Sequence, residues 1–225
     1  MKIFRSLWFG GVTGLISVLL IYNTDRLNSE YAQVIIIGML AIIALMFVLS
    51  GAMYSQVKKL NNKEVTGDEE DEIDSIKYKK FTDYSIFIQI SLTLSIMSLC
   101  ISIIMTGNMV LIILSVVSLL ITFLFSGGLM NLMRLVYPHR SIPDATDANY
   151  SEMLLEIADD GEKHIMLQGL YKAYHFINWV IILAIGLATV YSLLSDHSQL
   201  FSIIVMSLVL VSVNLTYLLY IRKKN

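Results

Sequence analysis

The chain has 225 residues, of which 56% are apolar and only 15% are Asp, Glu, Lys or Arg, and its formal net charge is −2. A soluble domain covers its surface with roughly 25% charged residues, so this composition excludes that class, along with disordered, collagen-like and disulfide-rich secreted chains. Cys100 is the single cysteine, which leaves neither a disulfide framework nor a CxxC redox or zinc motif. The composition is that of an integral membrane protein.

Six apolar runs approach the ~20 residues that cross a ~30 Å hydrocarbon core: 7–22, 32–54, 84–105, 109–132, 176–194 and 201–220. None has an Asp, Glu, Lys or Arg in its interior. Continuous apolarity without alternation predicts helices and not barrel strands. The expected fold is therefore all-α, a polytopic bundle of six transmembrane helices with both termini on one side. Lys2 and Arg5 precede the first run as they would in a secretory signal, but no small-x-small cleavage pattern follows, and the run is expected to be retained as the first helix.

Fifteen of the sixteen Lys and Arg residues fall on one side of this topology and Arg26 falls on the other. Basic residues resist translocation. The asymmetry predicts a plasma-membrane protein with both termini, and the two long segments 57–81 and 134–175, in the cytoplasm. Tyr22, Tyr31, Trp179, Tyr217 and Tyr220 lie near predicted span ends, as an interfacial aromatic belt requires.

The third and fourth runs are joined by Thr106-Gly107-Asn108, which predicts a tight antiparallel hairpin. Ser91, Ser95, Ser98 and Ser102 step by four, three and four along one helical face, and Ser115, Ser118, Thr122 and Ser126 step by three, four and four along another. Small residues let helix backbones approach closely in lipid, and each interhelical hydroxyl bond adds about 0.6 kcal/mol. These two stripes are predicted to face each other. The rival reading, a polar permeation path, lacks the buried charge or broken helices that such paths carry. Gln89 and Asn214 read as interhelical glue, and Gly10 with Gly14 and Ala184 with Ala188 as further small-residue contacts.

The first long segment carries an acidic block, Asp68, Glu69, Glu70, Asp71 and Glu72 followed by Asp74, flanked by Lys58, Lys59, Lys77, Lys79 and Lys80. Such a block is a solvated segment or a docking strip for a basic partner, and it is expected to be the least ordered part of the chain. Its spacing does not fit an EF-hand. The run Lys77-Tyr78-Lys79-Lys80-Phe81 is expected at the inner leaflet, drawn to anionic lipid.

The second segment contains both prolines, Pro138 and Pro143, and leaves the membrane as an extended turn. Asp147 is expected to cap an amphipathic helix with Met153, Leu154 and Ile157 on its apolar face and Glu152, Glu156 and Asp160 on its polar face. Gly161 is expected to break it, after which residues 162–174 run into the fifth span. Glu156, Asp160 and His164 are spaced four apart and would form a metal trio on an unbroken helix. That reading is set aside because the spacing does not match HExxH and Gly161 interrupts the face. No Gly-x-Ser-x-Gly elbow or Walker loop is present, and Glu69-Glu70 lies outside the spans, so no catalytic residue, cofactor or metal is expected.

The run from Arg134 to Pro138, the run from Leu154 to His164, and Leu170-Tyr171-Lys172-Ala173-Tyr174 resemble a bacterial family of multi-pass membrane proteins called domain of unknown function 3169. The acidic block ending in Lys79-Lys80-Phe81 is similar to that family's first loop. The resemblance covers nearly the whole chain and brings no activity with it. It implies a Gram-positive origin and a gene beside that of a small helix-turn-helix regulator, a setting in which other small membrane proteins tether the regulator.

The expected function is that of a non-catalytic membrane protein whose cytoplasmic loops bind a partner, a transcriptional regulator or another subunit of a membrane complex. The partner-binding residues would be Glu69, Glu70, Asp71, Glu72, Glu156, Asp160, Glu162, Tyr171 and Lys172. The lipid bilayer is the other partner, and direct nucleic-acid binding is not expected. Two rival functions are the permease subunit of an ATP-driven exporter, with residues 149–157 as the helix docked on an ATPase, and immunity to a membrane-active toxin.

Overall fold

A computed structural model describes residues 29–62, 68–138, 140–143, 147, 149–195 and 197–224. Among the described residues the chain is entirely helical. The elements are α1 (Ser29–Asn61), α2 (Asp68–Ile101) continued by a π-helical segment (Ser102–Thr106), α3 (Met109–Val136), the short α4 (Tyr150–Ile157), α5 (Asp160–Leu194) and α6 (Leu200–Lys224). Five helices are long and apolar enough to cross a membrane: α1, α2 with its π segment, α3, α5 and α6. The sixth expected span, 7–22, lies outside the described residues.

Each of the other five expected spans lies inside a helix, but the helices overshoot them. At 33 and 35 residues, α1 and α5 are about 50 Å long against a hydrocarbon core of ~30 Å. Charge marks where a span leaves lipid, not where its helix ends. Lys58 and Lys59 in the last turn of α1 complement the negative end of its helix dipole, and the acidic residues at the start of α2 complement the positive end of the next. The acidic block, expected as the least ordered stretch of a loop, therefore forms the opening turns of a helix.

The described residues divide into two compact units, one up to Ile157 and one from Ala158 on. In the first, α1, α2 and α3 pack against one another in all three pairings. Their buried positions recur every seven residues: Ile36, Ile43, Ser50 and Val57 on α1, Lys77, Tyr84, Ser91 and Ser98 on α2, and Leu111, Ser118 and Leu132 on α3. Intermediate positions complete a 3-4 alternation, with Ile88, Ser95 and Ser102 on α2 and Ser115, Thr122 and Val136 on α3. A 3.5-residue repeat is the signature of helices that wrap around a shared seam. It also explains why Gln89, expected as interhelical glue, is exposed, since residue 89 falls outside the 84, 88, 91, 95 register.

The seam has two halves. Toward the end that carries the lysines it is bulky: Val57, Tyr84, Ile88, Leu132 and Val136 form a buried cluster with Met53, Tyr54, Phe81, Phe125 and Leu129 against it. Toward the α2–α3 turn it is made of serine and threonine. There Gly107 adopts the left-handed conformation, φ 58°, and donates its N–H to the Ser102 carbonyl at 3.0 Å, a geometry that only glycine takes without strain. The Asn108 side chain then caps α3 by accepting from the Val110 N–H at 3.0 Å.

In the second unit, α5 packs against α6. The two are joined by residues 195–199, where Ser195 ends α5 by donating both its N–H and its hydroxyl to the Tyr191 carbonyl.

Candidate functional site

The two predicted serine stripes lie on the helices that meet in the seam. Ser91, Ser95, Ser98, Ser102, Ser115, Ser118 and Thr122 are buried, and Ser126 is half-buried where the bulky half begins. The hydroxyls of Ser98 and Ser115 are 3.1 Å apart, those of Ser95 and Ser118 are also 3.1 Å apart, and Ser102 reaches Ser115 at 3.4 Å. Most of them donate in addition to a carbonyl one turn back on their own helix: Ser91 to Phe87, Ser102 to Ser98, Thr122 to Ser118. A row of this kind has its polar capacity turned inward and occupied. Ser50 is the exception among the described residues, with a fully buried hydroxyl and no hydrogen-bond partner.

In the bulky half, the Tyr84 hydroxyl donates to the Phe125 carbonyl across the α2–α3 contact at 2.7 Å. Gly128 makes room for it: a Cβ there would lie 2.7 Å from the Tyr84 oxygen. Phe47 stacks on Phe125, and Tyr54 packs against Tyr84, so α1 is tied to the same level.

The expected partner-binding residues fall into three groups. Glu69, Glu70 and Glu72 are exposed on the first turns of α2, while the Asp71 side chain lies outside what is described. Glu156 is exposed near the end of α4. Asp160, Tyr171 and Lys172 are exposed on α5. Glu162 has a structural task of its own: Asp159 caps α5 by accepting from the Glu162 N–H at 2.7 Å, and the Glu162 carboxylate accepts from the Asp159 N–H at 3.2 Å. This reciprocal capping box corrects the expected break at Gly161. The break falls one step earlier, at Ala158–Asp159, and Gly161 lies in the first turn of α5, where an added Cβ would approach the capping carboxylate at 3.3 Å. Glu156, Asp160 and His164 consequently do not share one helix. No group of three or more His, Cys, Asp and Glu among the described residues is arranged to hold a metal ion.

The helix α4 begins at Tyr150, whose N–H bonds to the Asp147 carbonyl at 3.0 Å. On it Leu154 and Ile157 are half-buried, whereas Glu152, Met153, Leu155 and Glu156 are exposed.

A polar cluster joins α5 to α6. Tyr174 donates to the Asn214 side-chain oxygen at 2.6 Å, and Asn214 donates to the Asn178 side-chain oxygen, also at 2.6 Å. Asn178 in turn donates to the Tyr174 carbonyl, and the Tyr174 ring packs on Tyr217 with centroids 4.6 Å apart. Sequence reading singled out Asn214 and passed over Asn178. The signal that could have found it is the four-residue spacing of Tyr174 and Asn178, which places both on one face of α5.

The geometry assembled here is that of helices built for lipid, with polar groups satisfied between them and charge held at the helix ends. The family model described as "Protein of unknown function (DUF3169)" matches residues 1–221. The chain belongs to the DUF3169 family. No curated protein and no solved structure matches it. Membership of the DUF3169 family brings no activity with it, and the chemistry of the chain's own residues is the guide to what it does.

Proposed function

We propose that this DUF3169 protein is a non-catalytic, multi-pass membrane scaffold that docks a soluble or membrane-bound partner on the charged helix ends it holds in the cytoplasm. The observation that carries this reading is the contrast along α2. From Lys77 inward its seam residues are buried and packed, while the turns before it place Glu69, Glu70 and Glu72 in the open. Nine residues of helix before Lys77 extend about 13 Å, far enough for carboxylates to clear the headgroups. A helix is a more rigid support for a docking surface than a loop, so less ordering free energy is lost when a partner binds. The closed serine row favours a scaffold over a conduit, because its hydroxyls are bonded to protein and are not directed at an open lumen.

The partner is basic where it meets α2, and either a helix-turn-helix regulator held at the membrane or a subunit of a membrane complex fits that requirement. The test is affinity purification of the tagged full-length chain from its native membrane in mild detergent, beside a Glu69→Lys, Glu70→Lys, Glu72→Lys variant, with mass spectrometry of both eluates. The expected outcome is a protein present with the wild type and depleted at least tenfold with the variant. Identical sets of proteins in the two eluates would refute the docking role.

A further inference from the structure

The three-helix unit carries a second charged surface, of opposite sign and one step nearer the apolar spans. Four contacts fix the relative height of its helix ends. The Lys80 ammonium donates to the Gln56 side-chain oxygen, which sets residue 80 of α2 level with residue 56 of α1. Tyr78 meets Tyr137 edge-on with centroids 6.4 Å apart, which sets residue 78 of α2 level with the end of α3. Val57 and Val136 share one buried cluster, and Arg140 lies over the Tyr137 ring at 4.6 Å.

At this level Lys58 and Lys59 on α1, Lys79 on α2 and Arg134 on α3 are exposed, and Lys80 is half-exposed. Lys77 is not part of this set, contrary to the expectation that the whole 77–81 run faces lipid. It is buried and paired with Asp74 at 2.8 Å, so the two cancel. Asp83, exposed one turn further in, is the carboxylate nearest along α2 on the apolar side. Among the described residues of the three helices, five cations at this level therefore face one anion. The acidic turns at Glu69, Glu70 and Glu72 lie on the other side of the cations. The seven-residue step from Glu72 to Lys79 rises about 10 Å, which exceeds the ~8 Å screening length at physiological salt, so the acidic turns do not neutralise the set through solvent.

The cations surround the unit where the apolar runs 32–54, 84–105 and 109–132 stop. Tyr78 and Tyr137 lie at the same level, amphipathic rings of the kind that settle among lipid headgroups. We propose that Lys58, Lys59, Lys79, Lys80 and Arg134 form a collar that binds the phosphates of anionic phospholipids in the leaflet around the three-helix unit. The collar attracts an anionic surface and the acidic turns beyond it are repelled by the same surface, so the two together set the depth of α2 and hold its first turns away from the membrane. The collar rests on its own residues and is independent of any partner on Glu69, Glu70 and Glu72.

The test uses the full chain in nanodiscs made from an equal mixture of phosphatidylglycerol and phosphatidylcholine, with the lipids that stay bound after gentle release counted by native mass spectrometry. The wild type should retain phosphatidylglycerol at least threefold over its share of the disc, and raising the salt should erode that preference. A Lys58→Gln, Lys59→Gln, Lys79→Gln, Arg134→Gln variant should lose it, with Lys80 left in place to preserve its bond to Gln56. A Glu69→Gln, Glu70→Gln, Glu72→Gln variant should keep it. Unchanged enrichment in the quadruple variant, or enrichment indifferent to salt, would overturn the proposal. Displacement of the bound lipid by inorganic phosphate beyond that produced by sodium chloride at the same ionic strength would also overturn it, by assigning the cations to a free anion. Should the quadruple variant fail to fold, the pair Lys58→Gln, Lys59→Gln and the single changes Lys79→Gln and Arg134→Gln give a graded readout, in which a flat response counts against the collar.

Discussion

In the three-helix unit, cohesion is spread along a seam of about seven helical turns, with small hydroxyl residues in one half and aromatic and aliphatic residues in the other. In the α5–α6 pair it is gathered at one level, where Tyr174, Asn178 and Asn214 bond to one another and none of the described side chains of either helix is fully buried. Lipid gives neither unit a hydrophobic reason to associate, because a chain of methylenes is as apolar as leucine. The seam answers with contact area and close approach, which tolerate the loss of any one bond but not a bulky intruder. The cluster answers with a few strong bonds, which tolerate bulk nearby but not the loss of a member.

That contrast is broken most directly by adding volume to the serine half. Ser98→Leu is expected to cost about 1–3 kcal/mol through overpacking, seen as a fall of several degrees in the thermal unfolding of the detergent-solubilised chain. A second volume test targets the bulky half: Gly128→Ala should destabilise by about 1–2 kcal/mol, because its Cβ takes the space of the Tyr84 hydroxyl. Adding Tyr84→Phe should then restore most of the loss, and a double-mutant cycle with strictly additive effects would show that the contact is not responsible.

In the α5–α6 pair the sensitivity should be to bonding. Asn214→Leu is expected to cost about 1 kcal/mol, since it removes two side-chain bonds at similar volume, and Tyr174→Phe should cost less. Urea or heat unfolding followed by Trp179 fluorescence would report it. The smallest effect belongs to Ser115→Ala, about 0.6 kcal/mol or below, because the surrounding seam remains in contact. If Ser115→Ala proved as damaging as Ser98→Leu, cohesion in the seam would rest on its hydroxyl bonds and not on close packing.

Most of this architecture was legible in the sequence because lipid leaves few options. Runs near twenty apolar residues have to be helices, and steps of three and four place Ser91, Ser95, Ser98 and Ser102 on one face. Helix ends were read less well. The charged residues at 58–59 and 68–74 mark the edge of the lipid and not the end of a helix, because lysine and glutamate are good helix formers and nothing at those positions interrupts backbone hydrogen bonding. The first turn of α5 was misread for a related reason: Gly161 drew attention as a breaker, while the Asp159 and Glu162 pair that starts the helix was the stronger signal. Asn178 and Lys77 escaped because both depend on a partner elsewhere. An asparagine within a span gains meaning from Asn214 on the next helix, and a lysine amid other lysines is distinguished only by its burial beside Asp74.

The π-helical segment at Ser102–Thr106 bears on how chain length varies at the α2–α3 turn. Wide turns of this type arise when one residue is added to an α-helix, and this one begins at Ser102, the last serine of the α2 row, and ends before the two-residue connection to α3, Gly107-Asn108. A chain one residue shorter between Ile103 and Met105 would close the same hairpin with an ordinary α-helical end. Both serine rows would keep their register, because the adjustment lies beyond them. The turn thus acts as a slack coupling: insertions and deletions there are absorbed locally, whereas the same change three turns earlier would rotate Tyr84 or Ser91 out of the seam.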